Sequence, residues 1–268
     1  MNKIKQYVNM LASTDEATLD KIDEYEKLGK LSEHLDTNPA PYIPVTAKFQ
    51  YLPKNPFVRL HRKFQDTFFL KPFCKEANKL FNTVVVGKEN MKELGGAVVC
   101  CNHVNKLDCM AIRHALAPKK VYFTTAEFNN MKGFVGDMMR AGGILPMSEN
   151  FGAQKNFMKA VETILGRKQF VTFFPERSEW WLYEKPRPQH DGAYHMAAKN
   201  KVPVLPVFIT FNQTEESKKS RTGIKQFVVN ILPPIYPDAE LSLKQNIAKM
   251  KNACSEAWQK TYDEFYKK

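Results

Sequence analysis

Short apolar runs alternate with amphipathic segments from residue 81 onward. Runs of four to eight apolar residues between polar turns are typical of buried strands, and apolar residues that recur every three or four positions are typical of helices. The pattern predicts strands at 81–86, 97–102, 121–126, 144–147, 170–174, 204–211 and 227–232. It predicts helices at 106–116, 131–140, 154–165, 191–199 and 241–266. This alternation predicts an α/β domain over residues 81–268, with a mixed, largely parallel sheet flanked by helices.

The first 46 residues have a different pattern. Ser13 and Glu16 have the spacing of a capping box, so we expect a helix that Ser13 caps and that ends at Gly29. Pro39, Pro41 and Pro44 then predict an extended linker. We interpret residues 1–46 as a helical appendage with its linker.

The pattern of apolar and basic residues at 47–80 predicts amphipathic basic helices. A helix at 57–70 would be ended by Pro72, and a shorter helix would follow. The pattern alone favours packing of the apolar faces on the core, whereas a membrane-surface role is the alternative. The apolar face of the first helix carries Phe57, Leu60, Phe64 and Phe68, and its polar face carries Arg59, Arg62, Lys63 and Asp66.

Charge is unevenly distributed along the 268 residues. The net charge is +12, but residues 1–36 carry five lysines against eight acids, so the rest of the chain carries +15. Residues 48–80 alone hold eight Lys and Arg against two acids. Such an excess favours anionic partners: nucleic acid, an anionic membrane, or acidic proteins and phosphate substrates.

Cysteine content and hydropathy indicate the compartment. The number of cysteines is five, two of them adjacent, and there is no Cys-x-x-Cys motif, which favours reduced thiols in the cytosol. The chain has neither a signal-peptide pattern near residue 1 nor eighteen consecutive apolar residues. We therefore expect any contact with a membrane to be peripheral.

The strand at 97–102 ends in the first group of candidate catalytic residues. It leads into Asn102 and His103, and Asp108 follows in the first turns of the next helix. Asp108 is within reach of one imidazole nitrogen, which would leave the other free to act as a base on a substrate hydroxyl. The alternative is a histidine in the turn and an aspartate favoured by the helix dipole. Spacing alone leaves both interpretations open.

The strand at 170–174 leads into a second polar group, Glu176 and Arg177. Such a pair at the carboxyl end of a strand suits a crevice that orients polar groups and binds an anion, although a surface ion pair in a turn is the alternative. A long loop follows with Trp180, Trp181, Lys185 and Arg187. Its aromatic residues either face lipid or bury the loop.

These motifs together resemble the glycerolipid acyltransferase superfamily, which includes the lysophosphatidate acyltransferases. The resemblance covers about residues 81–235. It rests on an Asn-His-x-x-x-x-Asp turn at 102–108, Phe-Pro-Glu at 174–176, and Val-Pro-Val-x-Pro-Val at 202–207, in that order.

The resemblance implies direct acyl transfer from an acyl carrier protein or coenzyme A thioester to a lysolipid hydroxyl, with 1-acylglycerol-3-phosphate as the first acceptor. His103 would be the general base and Asp108 its orienting partner. Asn102 and Glu176 would contact substrate. The resemblance also implies phospholipid synthesis at the cytoplasmic face of the cell membrane, with peripheral binding to an anionic surface through the basic helices. Neither a metal nor a cofactor is expected.

Two departures from the family pattern concern the acceptor. The family's Phe-Pro-Glu-Gly-Thr-Arg block reads Phe-Pro-Glu-Arg-Ser-Glu here, so Arg177 replaces the glycine and Glu179 the arginine. A second block, Gly-x-Ile-x-x-x-Arg, lacks its arginine at 142–149. Arg177, Lys185 or Arg187 would then bind the acceptor phosphate, or the acceptor is a different lysolipid or glycolipid.

Other classes of function have weaker support. Cys109 beside Asp108 suggests covalent Cys–His chemistry, but a buried thiol is the simpler interpretation. A zinc site would use Cys101, His103, Cys109 and His114 without the usual Cys-x-x-Cys pair. A nucleic-acid binder fits the charge but lacks a recognised motif, so nucleic acid is not an expected partner. A non-catalytic membrane-surface protein is the remaining alternative.

Overall fold

The computed structural model describes residues 3–35 and 41–267. Within these residues the strands are β1 (Val84–Val86), β2 (Ala97–Cys101), β3 (Val121–Ala126), β4 (Ile144–Met147), β5 (Phe170–Phe173), β6 (Val204–Asn212) and β7 (Gln226–Ile231). These seven strands form one sheet, in the order β1-β7-β6-β2-β5-β3-β4, and all neighbours are parallel except β6 and β7. The predicted α/β class and mixed, largely parallel sheet are therefore confirmed.

Helices cover both faces of this sheet. Alternate residues of a strand point to opposite faces, so Val99 and Cys101 of β2 belong to one apolar cluster while Val98 and Cys100 belong to the other. The helices are α1 (Lys3–Ala12), α2 (Glu16–Lys27), α3 (Pro56–Gln65), α4 (Lys71–Leu80), α5 (Asp108–Ala115), α6 (Gly133–Ala141), α7 (Phe151–Gly166), α8 (Gly192–Lys199) and α9 (Leu243–Tyr266). The first cluster includes residues of α1, α4 and α5, and the second includes residues of α7, α8 and α9.

Pro72 does not end a helix, contrary to the prediction. The segment from α3 to α4 is continuous, because the π-helical turn Asp66–Leu70 joins the two. Proline lacks an N–H and its ring collides with the carbonyl of residue i−4 in an ordinary α-helix, whereas a widened turn displaces that carbonyl. The π turn thus accommodates Pro72 near the start of α4.

The N-terminal residues also differ from expectation. Asp15, and not Ser13, caps α2, since its side chain accepts a hydrogen bond from the N–H of Thr18 at 2.8 Å. The predicted stop at Gly29 is confirmed, with φ +68°. The sequence pattern did not reveal α1, whose Val8 packs in the main core. Of the predicted linker, Pro39 lies outside the described residues.

The apolar face of α3 is exposed, so packing of this face on the core, which the pattern alone favours, is wrong for this helix. Phe57, Leu60 and Phe68 are 79%, 67% and 60% exposed, and Gln65 is the buried residue of α3. The ring of Phe69 contacts that of Phe134 on α6 at 5.1 Å between centroids, which extends the apolar surface onto a second helix. By contrast, Phe73 and Ala77 of α4 are buried, so core packing is correct for this shorter helix. None of the helices within residues 3–35 and 41–267 combines the length and apolar character needed to cross a bilayer.

Candidate active site

The candidate site lies where β2 and β5 end. These strands are parallel neighbours, with Cys100 opposite Phe173, so their carboxyl ends reach the same edge of the sheet. His103 follows β2 and Glu176 follows β5. The N–H of His103 donates to Oε2 of Glu176 at 3.1 Å, and therefore the two predicted groups form one site. In an open parallel sheet this edge is where ligands bind.

His103 and Asp108 contact each other as predicted. Nδ1 of His103 lies 2.9 Å from Oδ2 of Asp108, and the same carboxylate oxygen accepts the N–H of Val104 at 2.8 Å. The imidazole stacks on Phe174 with ring centroids 4.1 Å apart. Asp108 is fully buried, whereas the His103 side chain is 23% exposed. The ring is thus fixed through Nδ1, while Nε2 lies on its other edge.

Electrostatics favour the protonated form of His103. Burial opposes it, but the hydrogen bond to Asp108 and the charges of Glu179 and Asp108 outweigh burial, so the pKa of His103 lies above its usual value. Burial also raises the pKa of Asp108, against the hydrogen bonds from His103 and the Val104 N–H that stabilise its carboxylate. A histidine with this partner accepts a proton readily at its free nitrogen.

Asn102 joins two strands. Its Nδ2 donates to the carbonyl of Ile209 on β6 at 3.0 Å, and its Oδ1 accepts the Ile209 N–H at 2.8 Å. The side chain is buried. Because both polar ends are bonded to backbone, we revise the predicted role of Asn102 from substrate binding to positioning of the turn that carries His103.

Glu176 and Arg187 form a second charged pair, and both side chains are buried. Oε2 of Glu176 accepts from Nη2 of Arg187 at 2.9 Å, and Oε1 accepts the Arg187 N–H at 2.9 Å. Nη1 of Arg187 donates to Oγ of Ser178 at 2.9 Å, and the guanidinium lies 4.7 Å from the ring centroid of Trp180. Since these groups are bonded to each other, we revise the predicted substrate-binding roles of Glu176 and Arg187 to support of the His103 backbone.

The other two predicted anion-binding residues lie at the surface. Nζ of Lys185 forms an ion pair with Glu26 on α2. Arg177 is exposed and has φ +72°, a left-handed conformation that favours glycine. This is the position at which the family pattern has glycine. Of the predicted cations, Arg177 alone thus combines an exposed side chain with a place beside the site.

Glu179 also lies at the site, although it was not among the predicted site residues. Its Oε2 lies 3.9 Å from Nε2 of His103, the nitrogen that is free of Asp108. Its place in the arginine position of the family block was the available signal. A carboxylate here raises the pKa of His103 and disfavours a second negative charge nearby.

Two alternative chemistries have little support in the geometry. Burial raises the pKa of the Cys109 thiol to about 12, so the thiolate required of a nucleophile is strongly disfavoured at neutral pH. Among residues 3–35 and 41–267, no group of three or more His, Cys, Asp and Glu side chains is arranged to hold a metal ion.

Comparisons with known proteins place this site in a family. Residues 82–210, which contain all the motifs, match the model of the Acyltransferase family. The chain is 27% identical over 155 residues to a 1-acyl-sn-glycerol-3-phosphate acyltransferase of Saccharomyces cerevisiae, a match that covers 56% of this chain. Residues 82–210 therefore form an Acyltransferase domain, and the two matches support the glycerolipid acyltransferase superfamily. The match spans half the length of that curated relative.

A solved structure is also similar to this acyltransferase family member. It is the 1-acyl-sn-glycerophosphate (LPA) acyltransferase PlsC from Thermotoga maritima, with a TM-score of 0.43 and 19% sequence identity. The similarity covers 75% of this chain and 95% of that one. The family predicted from the motifs is thus confirmed by the family model and the curated relative.

Proposed function

We propose that this acyltransferase family member moves a fatty acyl group from a thioester donor to the hydroxyl of a lysolipid during phospholipid synthesis. The observation that carries the proposal is the His103–Asp108 pair at the carboxyl end of β2, with a 2.9 Å contact at Nδ1. The pair resembles the base and orienting acid of a catalytic triad. The substrate hydroxyl takes the place of the serine.

In the proposed step, Nε2 of His103 takes the proton of the acceptor hydroxyl as that oxygen attacks the thioester carbonyl carbon. Asp108 holds the tautomer with Nδ1 protonated and stabilises the imidazolium that forms. The carbon–sulfur bond then breaks, and the imidazolium returns the proton to the leaving thiolate. Because a thiol has a pKa of about 8.5, departure of the thiolate needs little help from an acid.

The proposed donor is an acyl carrier protein or coenzyme A thioester, and the transfer itself requires no resident cofactor or metal. Both donors are acidic, and their charge complements the +15 of residues 37–268. The name of the yeast relative supports 1-acylglycerol-3-phosphate as the acceptor.

A second candidate acceptor is a different lysolipid or a glycolipid, and Glu179 is the observation that favours it. The phosphate of 1-acylglycerol-3-phosphate is bonded to the carbon next to the one that carries the free hydroxyl. A carboxylate 3.9 Å from Nε2 therefore lies close to where that phosphate would bind and repels it. Hydroxyl groups of a sugar or polyol would instead donate to Glu179.

The proposed membrane contact is peripheral, at the cytoplasmic face, through the exposed apolar surface of α3 and α6. Phe57 and Leu60 project from this surface, and the exposed Arg59 and Lys63 lie beside them. Exposed aromatic and basic residues on one helix suit insertion below anionic headgroups. Leu60→Ser should weaken flotation with anionic vesicles about tenfold, since burying a leucine contributes about 1.5–3 kcal/mol. Leu243→Ser, at an exposed leucine of α9, is the matched control.

An acceptor panel tests the proposed activity. Purified protein is offered 1-acylglycerol-3-phosphate, glycerol 3-phosphate, other lysophospholipids and lysoglycolipids, each with acyl carrier protein and coenzyme A thioesters. We expect an acylated product with at least one lysolipid, and none with His103→Ala. A fully active His103→Ala protein would contradict the mechanism. Binding of nucleic acid in place of vesicles, with no acylated product, would favour the nucleic-acid alternative.

A further inference from the structure

We propose that residues 16–35, here called the N-terminal strap, position His103 by holding the loop that follows β5. The strap consists of α2 and the turns after it, and it precedes the segment 82–210 that matches the family. The inference rests on the proposed role of His103. The strap would thus have a function in the active site, whereas the sequence pattern predicts only an acidic appendage.

The loop between β5 and α8, residues 174–191, is bonded to the backbone that carries His103. The N–H of Trp180 donates to the carbonyl of His103 at 2.9 Å, and the N–H of Leu182 donates to the carbonyl of Val104 at 2.9 Å. Glu176, at the start of the same loop, accepts the His103 N–H. Both sides of the His103 peptide are thus held by this loop, so any shift of the loop also shifts the imidazole.

The loop at 174–191 has no regular secondary structure that would fix its conformation. It contains neither helix nor strand, and two of its non-glycine residues, Arg177 and Leu182, have φ of +72° and +56°. Left-handed conformations of such residues persist only where the surroundings impose them. Contacts from outside the loop are therefore needed to fix its shape.

The strap supplies the apolar part of those contacts. Leu19 and Ile22 of α2 form a separate buried cluster with Trp180 and Trp181 of the loop. Trp180 is completely buried, and its indole N–H donates to the carbonyl of Glu33 at 3.0 Å. This cluster is distinct from the two that line the sheet, so its apolar burial serves to dock the strap on the loop.

The strap also contributes polar contacts. Its Leu31 carbonyl accepts from Nη1 of Arg187 at 3.2 Å, which links the strap to the buried Glu176–Arg187 pair. Arg221 of the body contacts Asp20 at 2.8 Å and Asp23 at 2.6 Å. These exposed ion pairs contribute little to the free energy that holds the strap on the body, but they set the register of α2 on a basic surface. The acidity of residues 1–36 thus has a partner within the chain.

Paired leucine variants test the strap. Leu19→Ala removes a leucine that is 7% exposed in the interface, and Leu28→Ala removes one that is 57% exposed on the same segment. We expect Leu19→Ala to lower kcat about tenfold or more with a smaller change in KM, because small misplacements of a catalytic group are costly. We expect Leu28→Ala to match the unaltered protein, and Leu19→Met to recover most of the loss.

Two further readouts separate positioning from general stability and from failure of the proposed activity. The imidazole of His103 is titrated by NMR in each folded variant, and we expect its pKa to change in Leu19→Ala alone. In the unaltered protein, hydrogen exchange of the Trp180 and Leu182 amides should follow the same opening as the amides of α2. A folded Leu19→Ala with normal kcat and normal His103 titration would overturn the proposal. Exchange of α2 while Trp180 and Leu182 stay protected would overturn it too, even if Leu19→Ala does not fold.

Discussion

Two charged pairs lie side by side at the ends of β2 and β5, and they differ in burial and in whether a polar atom remains available to a substrate. His103 and Asp108 form one pair, in which the imidazole is partly exposed and its Nε2 is free of Asp108. Glu176 and Arg187 form the other, which is completely buried and bonded to the loop around it. Burial therefore distinguishes the pair that we propose for the chemistry from the pair that we propose for its support.

The largest expected effect of this difference is on the rate of acyl transfer. His103→Ala removes the base and should lower kcat about 10³- to 10⁴-fold, while the fold and vesicle binding persist. His114→Ala, at an exposed histidine of α5, is the control and should keep full activity. Steady-state rates and thermal unfolding check both. Equal losses in the two variants would show that the effect is not specific to the site.

His103→Ala should lower kcat while the fold persists, whereas Arg187→Met is expected to lower the stability of the fold. It leaves the Glu176 carboxylate buried without its partner, which should cost about 3–5 kcal/mol of unfolding free energy. Glu176→Gln in the same chain should restore part of this, since no buried charge then remains. Arg167→Met, at an exposed arginine after α7, should change stability by less than about 0.5 kcal/mol. Urea unfolding measures all three, and an unchanged midpoint for Arg187→Met would refute the supporting role.

A smaller effect is expected of Asp108→Asn. The amide keeps the size of the side chain but no longer fixes the imidazole tautomer or stabilises the imidazolium. Because the imidazole itself remains, kcat should fall by about 10²-fold, the lower end of the usual contribution of general acid–base catalysis. Asp263→Asn, at the exposed end of α9, is the control. Retention of full kcat by Asp108→Asn would mean that the 2.9 Å contact at Nδ1 has no part in the chemistry.

The smallest change is expected of Glu179→Gln, and it is a shift in pH dependence. Glu179 helps to raise the pKa of His103, and a base works only when unprotonated, so activity falls as pH drops through that pKa. Without this charge the pKa of His103 falls, and the acidic limb of the kcat/KM profile moves to lower pH. The variant should also accept 1-acylglycerol-3-phosphate better than a lysoglycolipid, relative to the unaltered protein. An unchanged acidic limb of the kcat/KM profile would show that the charge of Glu179 does not affect the pKa of His103.

The sequence predicted the sheet and the His103–Asp108 contact because both depend on local patterns. Apolar runs specify strands, and a histidine and an aspartate five residues apart across a turn are within reach of each other, although it was the resemblance to the family that favoured the contact over its alternative. The predictions failed where distant residues decide the outcome. The donors of Arg187 are taken by the Ser178 side chain, Glu176 and the Leu31 carbonyl, and no spacing rule connects residue 31 to residue 187.

Two other structural features could not be predicted from the sequence, for related reasons. The π-helical turn before Pro72 is a change in backbone conformation, and the hydrophobic periodicity of the sequence does not reveal it. The exposed face of α3 has the same periodicity as a core-facing helix, because periodicity shows that a helix has an apolar face but not what covers it. The partner of that face depends on neighbours elsewhere in the chain or outside it.

The central claim is that His103 is the group whose protonation controls acyl transfer, and a paired titration tests it most directly. The pKa of His103 is measured by NMR in the unaltered protein and compared with the acidic limb of its kcat/KM profile. We predict that His103 titrates above the usual histidine value of about 6.5 and that the limb has the same midpoint. A limb whose midpoint differs from the His103 titration would contradict the account.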